Sequence, residues 1–217
     1  MVDGDDADGL DGAFEGLPPG TPFPFSGRRR RIPEEGDLEV FVGDEQSDHP
    51  VDTGRWQRLA EKVLRHEGLR GEAELSVLFV DETTIAELNR RFMGSEGPTD
   101  VLSFPLEDEL VEPGRFPDSG TPGPMDPRTR GEPPEPPLLL GDVVICPSVA
   151  VAQAPSHAGT VDDELALLVV HGVLHVLGHD HQHPDEMARM RAREVDLLQE
   201  LHWNGPVPAG FRQEQPG

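Results

Sequence analysis

Residues 165–181 read LALLVVHGVLHVLGHDH, and they predict a buried helix that carries two histidines and ends in a tight turn. His171 and His175 are four residues apart, so an α-helix places both imidazoles on the same face. Gly178 can adopt the left-handed conformation that ends a helix, and the returning chain then brings His181 to the same point. This spacing predicts a three-histidine metal site with one open coordination position.

A structural histidine cluster in the core is the alternative to a metal site. The other residues of the segment 165–177 are apolar or glycine, which is typical of a helix that is buried on all sides. An unpaired buried imidazole costs about 1–3 kcal/mol, and a bound metal ion removes that cost. Imidazole ligands suit zinc, copper, iron and nickel, and zinc is the default for a hydrolytic site with three nitrogen donors.

The same histidine spacing occurs in metzincin peptidases, whose motif begins His-Glu-x-x-His. Residue 172 is glycine in this chain, so the glutamate that serves those peptidases as general base is missing. A zinc peptidase is therefore the weaker alternative. Gly172 either leaves room beside the ion for a substrate group or permits close helix packing.

Composition sets the outer bounds of the interpretation. The 217 residues suffice for one domain with appended loops, and the net charge of −24 opposes non-specific adhesion to nucleic acid. A local basic cleft or a bound metal remains compatible with that charge. The acidic start lacks a secretory pattern, the longest apolar run is too short for a membrane span, and Cys146 is the single cysteine. We expect a soluble cytoplasmic protein that binds neither membrane nor DNA.

Local composition divides the chain into a domain and three appendages. Residues 1–36 are rich in glycine, proline and aspartate, which predicts a disordered tail. Residues 37–204 form the predicted metal-dependent hydrolase domain, interrupted by a proline-dense insertion loop at about 106–137. Residues 205–217 are predicted to be a flexible C-terminal tail.

The domain alternates strand and helix patterns. Strands are predicted at 38–42, 75–80, 101–104 and 138–145, and helices follow Thr53, Asp81 and Thr160 as capping residues. Further helices are predicted at about 148–157 and 185–202. In the helix after Asp81, one apolar face is predicted from Ile85, Leu88 and Phe92. This alternation predicts an α/β fold, a compact sandwich of a small mixed sheet with helices.

Three segments in this order resemble the YbeY endoribonucleases, also called rRNA maturation factors. The first is residues 88–93 (LNRRFM), followed by 98–105 (PTDVLSFP); the second is 140–145 (LGDVVI); the third is 171–181. The resemblance covers roughly residues 38–203. It implies a zinc ion held by His171, His175 and His181, and metal-dependent cleavage of single-stranded RNA. It also implies maturation of the 3′ end of small-subunit ribosomal RNA, ribosome quality control, and the small ribosomal subunit or its proteins as partners.

One departure from the family concerns substrate binding. Many members have an arginine near the metal at the position that Met93 occupies here. We therefore expect Arg90 or Arg91 to contact the RNA phosphates instead. The alternative is that they are solvent-facing charges on a helix. Thr99 and Ser103 are predicted to line the cleft. The general acid and base stay unassigned; the carboxylates considered for orienting or turn-forming roles are Asp100, Asp142 and Asp180.

A non-catalytic ribosome assembly factor with a structural metal is a further alternative. Such a site would be closed by a fourth protein ligand, and His179, Asp180 and His183 are the candidates. The histidines outside the motif are expected to be ordinary surface or helix residues: His49, His66, His157 and His202.

Overall fold

The structure is a computed structural model that describes residues 38–69, 72–106, 137–179 and 183–213. The predicted disordered tail at 1–36 and residues 107–136 of the predicted insertion loop lie outside the described residues, and so do Asp180 and His181. These assignments stay predictions.

A four-stranded sheet forms one layer of the domain. The strands are β1 (Leu38–Asp44), β2 (Ala73–Phe79), β3 (Val101–Pro105) and β4 (Leu138–Ile145), in the order β1-β2-β4-β3. Neighbours β1, β2 and β4 run parallel, whereas β3 pairs antiparallel with β4 at the edge. The predicted mixed sheet is confirmed.

Five α-helices complete the sandwich. They are α1 (Thr53–His66), α2 (Glu82–Leu88), α3 (Pro147–Gln153), α4 (Val161–Val176) and α5 (Pro184–Leu198). A π-helical turn, Asn89–Met93, follows α2, and a second, Gln199–Trp203, follows α5. The motif helix α4 contacts α1, α3 and α5 as well as β3 and β4, so it occupies the centre of the fold.

Polar side chains begin three helices as the sequence pattern indicates. Asp81 accepts the backbone N–H of Thr84 at 2.7 Å, and Thr160 accepts that of Asp163 at 3.1 Å. The predicted cap of α1 is off by one residue, because the Asp52 carboxylate accepts the N–H of Arg55 and Thr53 is the first helical residue. A carboxylate caps a helix at least as well as a hydroxyl.

The main core lies between the inner face of the sheet and the helices α1, α4 and α5. Alternate residues of β2 point into it, as a strand with one buried face requires. On α4, buried apolar side chains cover almost the whole circumference, which confirms the predicted buried helix. A smaller cluster lies on the outer face and is formed by Val80, Ile85, Leu102, Val144 and Cys146.

Gly141 allows β3 and β4 to approach each other closely. Its φ of +140° disfavours residues with a side chain, and a Cβ there would overlap the carbonyl oxygen of Phe104. The residue lies where the β2–β4 register shifts, a bulge that bends β4. The glycine inside the predicted strand therefore has a structural role that places β3 beside the motif helix.

The structure differs from the sequence-based predictions in the segment after α2 and in the predicted C-terminal tail. The predicted apolar face of Ile85, Leu88 and Phe92 is incomplete, because the chain changes to a π-helical turn at Asn89 and leaves Phe92 55% exposed. Within the segment predicted as a C-terminal tail, Phe211 packs edge-on against Trp203 with ring centroids 4.8 Å apart. The segment up to residue 213 is thus in contact with the domain.

Candidate metal centre

His171 and His175 lie together near the C-terminal end of α4. Their ring centroids are 4.5 Å apart and the ring planes cross at 77°. The His171 side chain is 28% exposed, while the flanking apolar residues of α4 are buried. The four-residue spacing therefore brings two imidazoles to one partly open point, as the sequence predicts.

A buried carboxylate orients the first of these rings. Nδ1 of His171 lies 2.7 Å from Oε1 of Glu194 on α5, and Glu194 is only 4% exposed. A proton on Nδ1 donated to this carboxylate places the ring's lone pair on Nε2, the arrangement of histidines that bind a metal through Nε2. Sequence reasoning missed Glu194. Its signal was an acidic residue on the apolar face of α5, four residues after Met190.

The chain leaves α4 as the glycine predicts. Gly178 has φ +87°, its N–H donates to the carbonyl of His175, and the N–H of His179 donates to the carbonyl of Leu174. This turn reverses the chain immediately before His181, which lies outside the described residues. Among the described residues, no three histidine, cysteine, aspartate or glutamate side chains group around one point. The three-histidine set remains a prediction.

His179 follows the turn and faces a buried ion pair. Its Nε2 lies 3.7 Å from Oε2 of Glu67, and its side chain is 10% exposed. Nε of Arg193 donates to Oε1 of Glu67 at 2.7 Å, and Nη2 of Arg193 donates to Nδ1 of His66 at 2.9 Å. His66 in turn pairs with Glu200 through Nε2. Helices α1 and α5 and the motif turn therefore meet in one polar network.

The charge of this network lowers the pKa of Glu67. Burial alone would raise the pKa of its carboxyl, but the interactions with His179 and Arg193 outweigh burial and hold the pKa below its ordinary value. Glu67 therefore carries a negative charge at neutral pH beside His179.

Close packing explains the glycine between the two histidines. A Cβ on Gly172 would overlap Cγ1 of Val143 on β4 and lie 3.3 Å from Oγ of Ser103. The Ser103 hydroxyl donates to the Gly172 carbonyl at 3.4 Å. Of the two roles considered for this glycine, the structure supports close packing of α4 on the sheet, and it brings Ser103 against the motif helix.

The residues before β3 form an ordered turn. The Asp100 carboxylate accepts the hydroxyl of Thr99 at 3.1 Å and the N–H of Val101 at 2.8 Å. Nδ2 of the buried Asn89 donates to the carbonyl of Gly97 at 3.0 Å and ties the loop to the π-helical turn. Asp100 thus forms part of this turn. The half-buried Asp142 lies within β4, opposite Phe104 of β3.

Arg90 and Arg91 lie on the exposed π-helical turn. Cζ of Arg91 is 5.2 Å from the centre of the Phe92 ring, and that ring packs edge-on against Phe104. Phe104 points to the outer face of β3, whereas Ser103 points inward to α4. The structure therefore places the two arginines and Ser103 on opposite sides of the edge strand. Met93 is 49% exposed on the same turn.

Two histidines expected to be ordinary surface or helix residues are instead paired with buried carboxylates, which corrects that prediction. Nδ1 of His157 lies 2.8 Å from the fully buried Glu164, and Nε2 of His202 lies 3.0 Å from Asp163. Burial raises the pKa of Asp163, but hydrogen bonds from Thr160, Trp203 and His202 outweigh it, so the pKa is lowered. Both pairs hold the N-terminal end of α4.

Comparison with known proteins places the chain in a family. The family model described as Endoribonuclease YbeY matches residues 41–202. An Endoribonuclease YbeY of Salinispora tropica is 43% identical over 161 residues, covering 74% of this chain and 94% of the relative. That of Mycolicibacterium vanbaalenii is 46% identical over 143 residues, covering 66% and 68%.

One solved structure matches much of the chain at low sequence identity. The solution structure of TM1509 from Thermotoga maritima has a TM-score of 0.45 and 23% identity, covering 76% of this chain and 93% of that one. Among the described helices, none is long and apolar enough to cross a membrane. The long family match and the level of identity lead to one conclusion: the chain belongs to the Endoribonuclease YbeY family.

Proposed function

We propose that this protein is a zinc-dependent endoribonuclease that cleaves single-stranded RNA. Its proposed roles are the maturation of the 3′ end of small-subunit ribosomal RNA and ribosome quality control. Membership in a family named for endoribonuclease activity supports RNA cleavage. The observation that carries metal dependence is the His171–Glu194 pair beside His175, since a buried carboxylate that fixes an imidazole tautomer is what a metal-binding histidine needs.

The residues present fit a zinc ion. His171 and His175 would hold it from α4, and His181 is proposed as the third ligand because Gly178 turns the chain back before it. Zinc in such a site supplies a Lewis acid that stabilises negative charge on a phosphodiester and makes water more acidic. We assign no general acid or base among the protein's side chains.

The chain's own residues bind and orient the RNA in this proposal. Ser103 lies against α4, and its oxygen can accept a hydrogen bond from a ribose hydroxyl while its proton is held by the Gly172 carbonyl. Thr99 stands just before the same strand. Arg90 and Arg91 would contact phosphates from the outer side of β3, because guanidinium groups match phosphate geometry.

The two rival functions fit the site less well. Peptidases of the metzincin pattern need a glutamate at position 172, where Val143 and Ser103 leave no space for any side chain. A closed structural site needs a fourth ligand, but His179 faces Glu67, and His183 lies exposed at the start of α5. Asp180, the third candidate, lies outside the described residues. We propose a site with an open position, which the surroundings of the two described histidines favour. We propose the cytoplasm as its location and the small ribosomal subunit as its partner.

Cleavage assays with three substrates test this proposal. The purified protein is incubated with a labelled single-stranded RNA, the same RNA in a duplex, and a generic peptide, each with and without chelator. We expect cleavage of the single strand only, loss of cleavage with chelator, and recovery on addition of zinc. Cleavage that persists in chelator would disprove metal dependence, and cleavage of the peptide would favour the peptidase alternative.

A further inference from the structure

Phe92 exposes an aromatic ring that is held in a fixed position. The ring is 55% exposed, packs edge-on against Phe104 at a centroid distance of 5.2 Å and an angle of 70°, and lies 5.2 Å from Cζ of Arg91. A single exposed apolar side chain is common on protein surfaces, but this one is held between a second aromatic ring and a guanidinium. The Arg91 guanidinium lies over the ring, so the two side chains form a cation–π pair that is partly exposed.

The position of this ring relative to the motif helix is set by β3. Phe104, which supports Phe92, is adjacent to Ser103, whose hydroxyl contacts the Gly172 carbonyl next to His171. Among the described strands β3 is an edge strand, so a single nucleic-acid strand that crosses this edge would meet both the histidine side and Phe92. Phe92 and the candidate metal centre therefore lie on opposite faces of β3.

We propose that Phe92 is a stacking position for a nucleobase, with Arg90 and Arg91 binding the adjoining phosphates. Single-stranded nucleic acid is bound by aromatic faces for the bases and by cations for the backbone, and both occur together here. A purely apolar partner would have to bury the Arg91 guanidinium beside the ring, which opposes that alternative. This inference rests on the proposed function and names the subsite where a flanking base is held.

Binding of a short single-stranded 2′-O-methyl oligonucleotide to the zinc-loaded protein tests the stacking position. Fluorescence anisotropy gives the Kd, and a gel confirms that the probe stays intact. We expect Phe92→Leu to weaken binding about tenfold and Phe92→Trp to retain it, because leucine keeps the apolar volume but has no π face. Phe41→Leu is the matched control: Phe41 is 63% exposed on β1, at the opposite edge of the sheet.

Salt dependence separates stacking from charge. Phe92→Leu should leave the slope of log Kd against log salt concentration unchanged, whereas Arg91→Gln should reduce it by about 0.7 for each phosphate that the guanidinium neutralises. Equal affinities for Phe92→Leu and Phe41→Leu would overturn the inference alone, as would a Trp variant as weak as the Leu variant. A wild-type protein that neither binds nor cuts RNA would overturn the proposed function and this inference together.

A second observation, independent of the first, concerns the segment after the family match. Nε2 of Gln213 donates to Oε2 of Glu194 at 2.8 Å and to the carbonyl of Arg191 at 3.1 Å. The neighbouring Arg212 N–H donates to the carbonyl of His157 at 2.8 Å, and Phe211 packs on Trp203. The segment therefore returns to the domain and reaches the carboxylate that holds His171.

The two oxygens of Glu194 have different partners. Oε1 faces Nδ1 of His171, and Oε2 accepts from Gln213, so the amide fixes the rotation of the carboxylate. We infer that Gln213 is a positioning residue for the His171 ring, acting through Glu194. It contributes to metal affinity without contacting the metal, and it lies beyond residues 41–202 of the family match.

Zinc affinity, measured by competition with a chromophoric chelator, tests this role. We expect Gln213→Leu to weaken zinc binding about threefold to tenfold, at the low end of the effects of outer-shell partners. Gln57→Leu is the matched control, because the Gln57 amide donates to Glu61 on α1, away from Glu194 and the two histidines. Thermal unfolding of the zinc-free proteins should give similar midpoints for both variants.

An exchange of the two side chains sharpens the test. Gln213→Glu alone sets two carboxylates against each other and should weaken zinc binding more than Gln213→Leu. The double variant Glu194→Gln/Gln213→Glu reverses the hydrogen bond between the two positions and keeps an acceptor for His171, although it loses the bond to the Arg191 carbonyl. It should recover part of the affinity that either single variant loses. Unchanged zinc affinity in Gln213→Leu would overturn the inference while leaving the metal site intact. A wild-type protein without zinc affinity would overturn the proposed metal centre as well.

Discussion

Replacing His175 with alanine is expected to remove the bound metal and to lower the rate of RNA cleavage about a thousandfold or more. The variant loses one of the two imidazoles that α4 holds with their ring centres 4.5 Å apart, and a metal ion in the proposed role would supply several kcal/mol of transition-state stabilisation. Elemental analysis of the purified variant and of the wild type gives the metal content. Cleavage of single-stranded RNA is measured on the same samples.

His49→Ala is the matched control for this experiment. His49 is a half-buried histidine between β1 and α1, and its backbone N–H and carbonyl bond to the Gln46 side chain. We expect this variant to keep both metal and activity. Metal retained in His175→Ala would show that the ligand assignment is wrong, and cleavage that survives metal loss would show that the zinc mechanism is wrong.

Replacing Arg193 with methionine is expected to lower the free energy of unfolding by about 3–5 kcal/mol at neutral pH. The change leaves the carboxylate of Glu67, only 3% exposed, without its cation in the core. Urea denaturation of the zinc-free protein measures the effect. The exposed pair Arg55–Asp162 supplies the control, since Arg55→Met removes a surface ion pair that contributes less than about 1 kcal/mol.

The loss of stability in Arg193→Met should depend on pH through the protonation of Glu67. In the wild type the pKa of Glu67 is lowered, so its stabilising contribution is present above the unfolded-state pKa and disappears as the pH falls through the folded-state pKa. In Arg193→Met the lowering by Arg193 is lost while burial and the interaction with His179 remain, so the pKa of Glu67 in the folded variant is higher than in the folded wild type. The difference in stability between wild type and variant should therefore be largest at neutral pH and shrink as the pH falls into the ordinary carboxyl range, near about pH 4, and below it.

A second substitution distinguishes a missing partner from missing packing. Arg193→Met/Glu67→Leu removes both charges, and a buried ion pair replaced by apolar side chains is often neutral for stability. We expect the double variant to regain most of the stability that Arg193→Met loses. A double variant as unstable as the single one would show that the arginine acts through its packing and its hydrogen bond with His66 rather than through Glu67.

Local patterns in the sequence are enough to predict the strands, the motif helix and its two histidines. Strand β4 coincides with its predicted range, because burial on both faces gives a continuous apolar run in the sequence. Helix α4 begins directly after Thr160, because a capping hydroxyl is also recognisable in the sequence. The change from α2 to a π-helical turn escapes such patterns, since the apolar spacing of Ile85, Leu88 and Phe92 still fits a regular helix. The anchoring hydrogen bond from Asn89 to Gly97 has no periodic signature.

The surroundings of the histidines could not be predicted, because they depend on tertiary structure. Glu67 and Arg193 are 126 positions apart, and Glu194 follows His171 by 23 positions on another helix. A single acidic residue on the inner face of a predicted helix indicates an interaction but not its partner. The Pro- and Gly-rich composition after residue 204 likewise gives no indication of the interactions of Phe211 and Gln213, which hold that segment against the domain.

The positions of Arg193 and Glu194 in the chain determine when, during synthesis, the histidines of the motif gain the side chains that hold them in place. Both ends of the motif depend on them, since Glu194 holds His171 and Arg193 holds the Glu67 that faces His179. The ribosome completes the histidine helix before α5 exists, and domains fold as the chain emerges from its N-terminal side. A nascent chain that ends before α5 therefore has its histidines but lacks the side chains that hold them, so tight binding of the proposed zinc ion should begin only after α5 has emerged.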